Sequence, residues 1–153
     1  DVVAFNQQHR AEEMPFFGQE YFERALKKGA LTDPEYLAAR DKLKKLASTN
    51  LEAVFVQQRL DAIVVMTTGP AWLIDLINGD GTTLVSTTPA AVAGTPAITV
   101  PTAMERGLPM GLTFMGRAFS EATLLRLAAA YEAATHARRP PQLLPTVSLP
   151  GLR

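Results

Sequence analysis

No cysteine occurs among the 153 residues, and that single absence removes a disulfide framework, a thiolate nucleophile and thiolate metal ligands together. Histidine is scarce as well. His9 and His136 stand far apart on predicted helices, flanked by arginine or alanine, so no metal site is expected. Neither sign of charge is in excess, with 15 Lys plus Arg against 15 Asp plus Glu. A chain without a net field has no electrostatic hold on nucleic acid or on an anionic membrane surface. No apolar run approaches the roughly 18 residues that cross a bilayer, and the N-terminus lacks the basic-then-apolar order of a secretory signal. The expectation is a soluble chain for which the cytoplasm is a fitting compartment. Asp1 rather than Met stands first and apolar Val2, Val3, Ala4 and Phe5 follow at once, so the chain reads as cut from something longer.

What is present, 47% apolar and 20% charged residues, suffices for a globular domain with a buried core. Its charge is unevenly spread. Residues 1–61 hold 9 of the basic and 10 of the acidic side chains, including every lysine (Lys27, Lys28, Lys42, Lys44 and Lys45). Solvated amphipathic helices are therefore expected over residues 1–59, and a more buried region punctuated by glycine and proline over 60–153. A first helix is predicted over about residues 2–13, stopped by Pro15, and a second from Gln19 to Lys28, with Gly29 as a left-handed cap. Thr32, Asp33, Pro34 and Glu35 read as a capping box that starts a long third helix reaching Gln58. Its apolar stripe is Tyr36, Leu43, Ala47, Leu51, Val54 and Phe55.

At Leu60 the period changes. Ala62 to Met66 is a continuous β-favouring run that suits a strand buried on both faces of a parallel or mixed sheet. Ala97 to Val100 and Met110 to Met115 are two more strands, joined as a hairpin through a polar turn between Pro101 and Leu108. Trp72 to Ile77 is a short helix candidate, Asn78 to Gly81 a turn, and Ser120 the N-cap of a last helix reaching about Arg138. Three strands form too small a set for strands that need cover on both faces, so the sheet is either small or completed by strands elsewhere.

Catalytic chemistry is not visible in these residues. None of Ser48, Ser86, Ser120 and Ser148 sits in the glycine-rich strand-to-helix turn that presents an activated hydroxyl, and no phosphate-binding glycine loop occurs. The run from Ser86 to Pro96 does stand out, because small side chains and hydroxyls at a strand entrance suit either a pocket wall or a tightly packed connection.

Four stretches then resemble one family: Phe5 to Ala25 (FNQQHRAEEMPFFGQEYFERA), Leu60 to Trp72 (LDAIVVMTTGPAW), Ala90 to Pro101 (AAVAGTPAITVP) and Gly107 to Ala130 (GLPMGLTFMGRAFSEATLLRLAAA). In this order and spacing they resemble the C-terminal portion of the amidase signature enzymes, hydrolases of linear carboxamides. The resemblance implies an α/β fold in which helices surround a large mixed sheet, with residues 1–153 as the C-terminal part of a single amidase domain. It implies carboxamide hydrolysis by a serine, cis-serine and lysine mechanism whose residues precede this chain, so no catalytic residue is assigned within it. No metal or organic cofactor is implied. The implied partners are the N-terminal part of the same enzyme and a small-molecule amide. The resemblance also places the region of Ser86 to Thr95 and the loop after Thr67 along the substrate channel, which makes Thr68, Trp72, Thr87 and Thr88 the candidate substrate-binding residues. For Trp72 a core position is the competing expectation. The glutamine-hydrolysing subunits of transfer RNA amidotransferases commonly carry an acidic residue where this chain has Leu84, and that departure points towards a stand-alone amidase. An amidotransferase fragment and a non-catalytic binding module are the alternatives.

Overall fold

The structure, a computed structural model, describes residues 1–79, 81, 85–141 and 143. Two short helices replace the single one expected at the start. Asp1 caps α1 (Val2–Gln8) by accepting from the Ala4 amide at 2.8 Å. At His9 the backbone leaves helical geometry (φ −105°, ψ 29°) before α2 (Arg10–Glu13), which ends ahead of Pro15 as expected. The next helix, α3 (Glu20–Leu26), is shorter than predicted. Its last turn tightens through a bond from the Lys28 amide to the Ala25 carbonyl at 3.0 Å, so the helix closes before Gly29, which does not take the left-handed conformation.

Pro34 decides where α4 (Pro34–Gln58) starts. Its fixed φ and missing N–H suit the first helical position, which makes Asp33 the N-cap and leaves Thr32 outside. The predicted capping box is therefore not formed, and no side chain caps this end. The other end is closed by Arg59 in the left-handed region (φ 53°), its amide shared between the Phe55 and Val56 carbonyls. Within the predicted stripe Phe55 is 2% exposed, while Tyr36, Leu43 and Val54 remain exposed.

The sheet is antiparallel and orders its strands β1 (Ile63–Met66), β3 (Leu108–Met115), β2 (Ala97–Glu105). β2 and β3 form the expected hairpin, but the polar turn is shorter than predicted, because the strand continues through Glu105. Arg106 (φ 51°) and Gly107 (φ 82°) alone make the turn, both left-handed as a type I′ hairpin turn requires. Pro101, which cannot donate to a ladder, stands where the β2 register shifts, and the outer position of β2 tolerates it.

Helix α6 (Glu121–Thr135) covers one face of β2 and β3, where Val100, Phe114, Leu124 and Ala128 form the buried cluster. Tyr131 adds an edge-on contact to Phe114 and a hydroxyl bond to Thr102. The helix begins without a side-chain cap, because the Ser120 hydroxyl donates instead to the Arg117 carbonyl at 2.7 Å. It ends at His136 (φ 46°), two residues before the predicted limit of Arg138. On β1, Val64, on the same face as its partner Phe114, is 49% exposed. The expected two-sided burial of Ala62 to Met66 is thus not supplied by this chain. Among the described residues no helix is long and apolar enough to cross a membrane.

Helix α5 (Thr88–Ala93) packs on α4 and closes at Gly94, whose φ of 74° is left-handed. The nearest atom to a Cβ added at Gly94 would be Lys44 Cε at 4.0 Å, so backbone conformation rather than crowding demands glycine. Gly94→Val is accordingly expected to lower stability by about 1–3 kcal/mol, with Gly94→Asn losing less because asparagine tolerates this region. Equal melting temperatures for wild type and the valine variant would contradict this.

Candidate functional site

The chain leaves the sheet at Thr67 and comes back beside it at Val85. Thr67 donates its amide to the Gly111 carbonyl at 2.8 Å, and its own carbonyl accepts from the Ser86 amide at 3.1 Å and the Ser86 hydroxyl at 3.0 Å. Thr68 then pairs with Val85 in an antiparallel bridge, and its hydroxyl donates to the Gly69 carbonyl at 2.8 Å. These bonds bring Thr68 to the segment that carries Thr87 and Thr88, which are exposed at the start of α5. Trp72 stands four residues beyond Thr68, past Gly69 and Pro70, and is 43% exposed. It is not buried in the core of this chain.

The helix expected from Trp72 to Ile77 is absent, and Asp75 accounts for it. Its carboxylate accepts from the Ile77 amide at 2.8 Å, the Asn78 amide at 2.9 Å and the Asn78 side chain at 2.8 Å, which gives the backbone a turn in place of a helix. The Asn78 amide, then the Asn78 side chain and the Ile77 amide, hold the Asp75 carboxyl below the usual carboxylate range. Gly79 completes this turn with a φ of 85°. Asp80, part of the predicted turn, and Leu84, the position from which a stand-alone amidase is expected, lie outside the described residues.

The described serines are all engaged with main chain. Ser48 donates to the Lys45 carbonyl at 3.2 Å, Ser86 to the Thr67 carbonyl at 3.0 Å, and Ser120 to the Arg117 carbonyl at 2.7 Å. None of these hydroxyls addresses a lysine or histidine, as an activated nucleophile would. Among the described residues no three His, Asp or Glu side chains gather where they could hold a metal ion.

A separate cleft of about 360 Å³ opens between α4, the end of α5 and the turn after β3, lined by Ser48, Glu52, Phe55, Thr95 and Arg117 among others. Glu52 and Arg117 pair across it, with Arg117 Nε 3.0 Å from Glu52 Oε2. Both are about half exposed, so the pair adds little to stability. None of the four candidate residues lines this cleft.

Sequence reasoning missed the hydroxyl contacts that hold the candidate segment. Thr67, Thr99 and Thr113 come from three different strands or strand ends, and their hydroxyls meet within 3.5 Å of one another. The available signal was a threonine at one position of each strand run, which becomes informative only once the register is known.

The Amidase family matches residues 5–125. A probable amidase of Arabidopsis thaliana is 32% identical over 94% of this chain and 25% of its own length. A glutamyl-tRNA(Gln) amidotransferase subunit of Geobacillus kaustophilus is 38% identical over 69% of this chain and 23% of its own length. The crystal structure of a peptide amidase in complex with the competitive inhibitor chymostatin superposes with a TM-score of 0.85 at 45% identity, over 93% of this chain and 29% of that one. The native peptide amidase of Stenotrophomonas maltophilia gives 0.79 at 43% identity, over 92% of this chain and 28% of that one. The chain thus spans about a quarter of the length of the relatives it matches. Its α/β arrangement is part of the amidase signature fold, and by sequence and by structure this chain belongs to the amidase family.

Proposed function

We propose that this chain is the C-terminal part of an amidase that hydrolyses a carboxamide to a carboxylic acid and ammonia or an amine, without metal or organic cofactor. The serine, cis-serine and lysine of the mechanism, and the loop amides that stabilise the oxyanion, belong on this reading to the part that precedes it. Residues 1–153 complete the same domain, and the partner that covers them is the N-terminal part of the enzyme. Their share of the active site is a pocket wall made by Thr68, Trp72, Thr87 and Thr88. The indole supplies apolar surface and the threonines supply hydroxyls, a combination typical of small-molecule sites.

The likeness to the peptide amidase held with a competitive inhibitor supports this reading most, because it extends over 93% of the chain at 45% identity. It also favours a peptide amide over free glutamine as the substrate class. The amidotransferase relative matches a smaller share, 69% of the chain.

Trp72→Ala in the enzyme that contains this chain tests the wall. On the pocket reading most thermal stability of the enzyme is expected to survive. The ratio of kcat/KM between bulky and small amides is expected to change by about tenfold or more, the scale of an apolar pocket contact. A loss of about 3–5 kcal/mol of stability, as for a core tryptophan, together with an unchanged substrate ranking would make the residue structural.

A further inference from the structure

The hydroxyl of Thr113 lies 2.7 Å from that of Thr67 and 2.9 Å from that of Thr99, whereas Thr67 and Thr99 are 3.5 Å apart. Thr113 is therefore the centre of the group, and at 1% exposure it is shut away from solvent. It sits on the middle strand, directly opposite Thr99 and Val65, on the face away from α6. Gly111 makes the room, since a Cβ there would stand 2.7 Å from both Thr67 Oγ1 and Thr99 Cγ2. Thr67 is also the residue that receives both Ser86 bonds and precedes the bridge from Thr68 to Val85.

We propose that Thr113 is a positioning residue for the candidate pocket wall, fixing Thr67 through its hydroxyl and thereby setting the placement of Thr68, the Trp72 segment and Ser86 to Thr88. It acts through another residue and touches no substrate. The assignment to substrate specificity rests on the pocket reading above, while the mechanical part rests on the hydrogen bonds alone. Valine at 113 keeps the volume but removes the two short bonds. The 3.5 Å contact between Thr67 and Thr99 that remains is at the limit of a hydrogen bond, so the Thr67 hydroxyl must turn to find another partner.

In the enzyme that contains this chain, Thr113→Val is expected to speed hydrogen exchange over the segment around Trp72. It should also speed hydrogen exchange at the Ser86 amide several-fold relative to the Gly94 amide, which bonds to Ala90 outside the group. Thr113→Ser, which retains the hydroxyl, is expected to restore both. Should the valine variant not fold, Thr67→Val removes the same 2.7 Å bond and carries the same expectation. Equal acceleration at Ser86 and Gly94, or no change at either, overturns the positioning role. In the enzyme that contains this chain, Thr113→Val is expected to shift the ranking of bulky and small amides in the same direction as Trp72→Ala. A ranking moved by Trp72→Ala but not by Thr113→Val overturns the positioning of the pocket and leaves the pocket reading standing. Loosening of Trp72 and Ser86 beside a ranking indifferent to both substitutions upholds the hydroxyl clasp and overturns the pocket reading.

Discussion

Purified on its own, the 153-residue chain is expected to leave arylamides and peptide amides intact. The lysines lie near the end of α3 and along α4, at positions 27, 28, 42, 44 and 45. The described serines Ser48, Ser86 and Ser120 spend their hydroxyl protons on main-chain carbonyls. Ser148 lies outside the described residues. An enzyme without its nucleophile and its proton relay forfeits most of an acceleration that is typically about a millionfold or more. The expected loss is accordingly complete on any practical assay. Supplying the remainder of the amidase, in one polypeptide with this chain, should restore turnover. Steady hydrolysis by the 153 residues alone, abolished by Ser86→Ala, would overturn the placement of the chemistry in the preceding part.

Local signals were legible in the sequence where one residue type dominates the backbone. Gly94 takes a positive φ without the cost a Cβ would bring, and Gly107 does the same in the hairpin turn beside Arg106. The 25 residues of α4 follow from periodicity, although Pro34 moves the N-cap one residue on from the predicted Thr32 to Asp33. Legibility failed where a side chain competes with the backbone. Asp75 draws three donors into a turn over a stretch whose apolar residues suggested a helix, and Ser120 turns back to Arg117 instead of capping α6. It failed again where the information is non-local. The pairing of Val65 with Thr113 and of Thr99 with Thr113 is a register, and a slip of one residue would carry Thr113 to the face of α6. No periodicity in the chain announces that choice. The contact between Thr68 and Val85, which brings two parts of the candidate wall together, is non-local in the same way.

The same uncovered strands lead to the second large expectation, that the chain alone binds apolar dyes strongly and self-associates. It exposes 12189 Å². A folded monomer of 16.6 kDa exposes roughly 7600 Å² by the usual scaling with mass, so the excess is more than half again. The surplus includes side chains that a finished domain would cover. Val64 on β1, Ile74 and Ile77 beyond it, Leu43 and Leu46 on α4 and Phe22 on α3 are all between 49% and 92% exposed. Each 100 Å² of apolar surface left in water forfeits about 2.5 kcal/mol relative to burial, and contiguous patches above a few hundred Å² seldom persist on a monomer. Edge strand β1 adds unpaired main-chain groups that can template further pairing. Sedimentation is expected to show concentration-dependent association, and dye fluorescence to fall sharply when the rest of the amidase is present. A monodisperse monomer that unfolds cooperatively and takes up little dye would mean that these faces need no partner, and would remove the reason for assigning them to the N-terminal part of the enzyme.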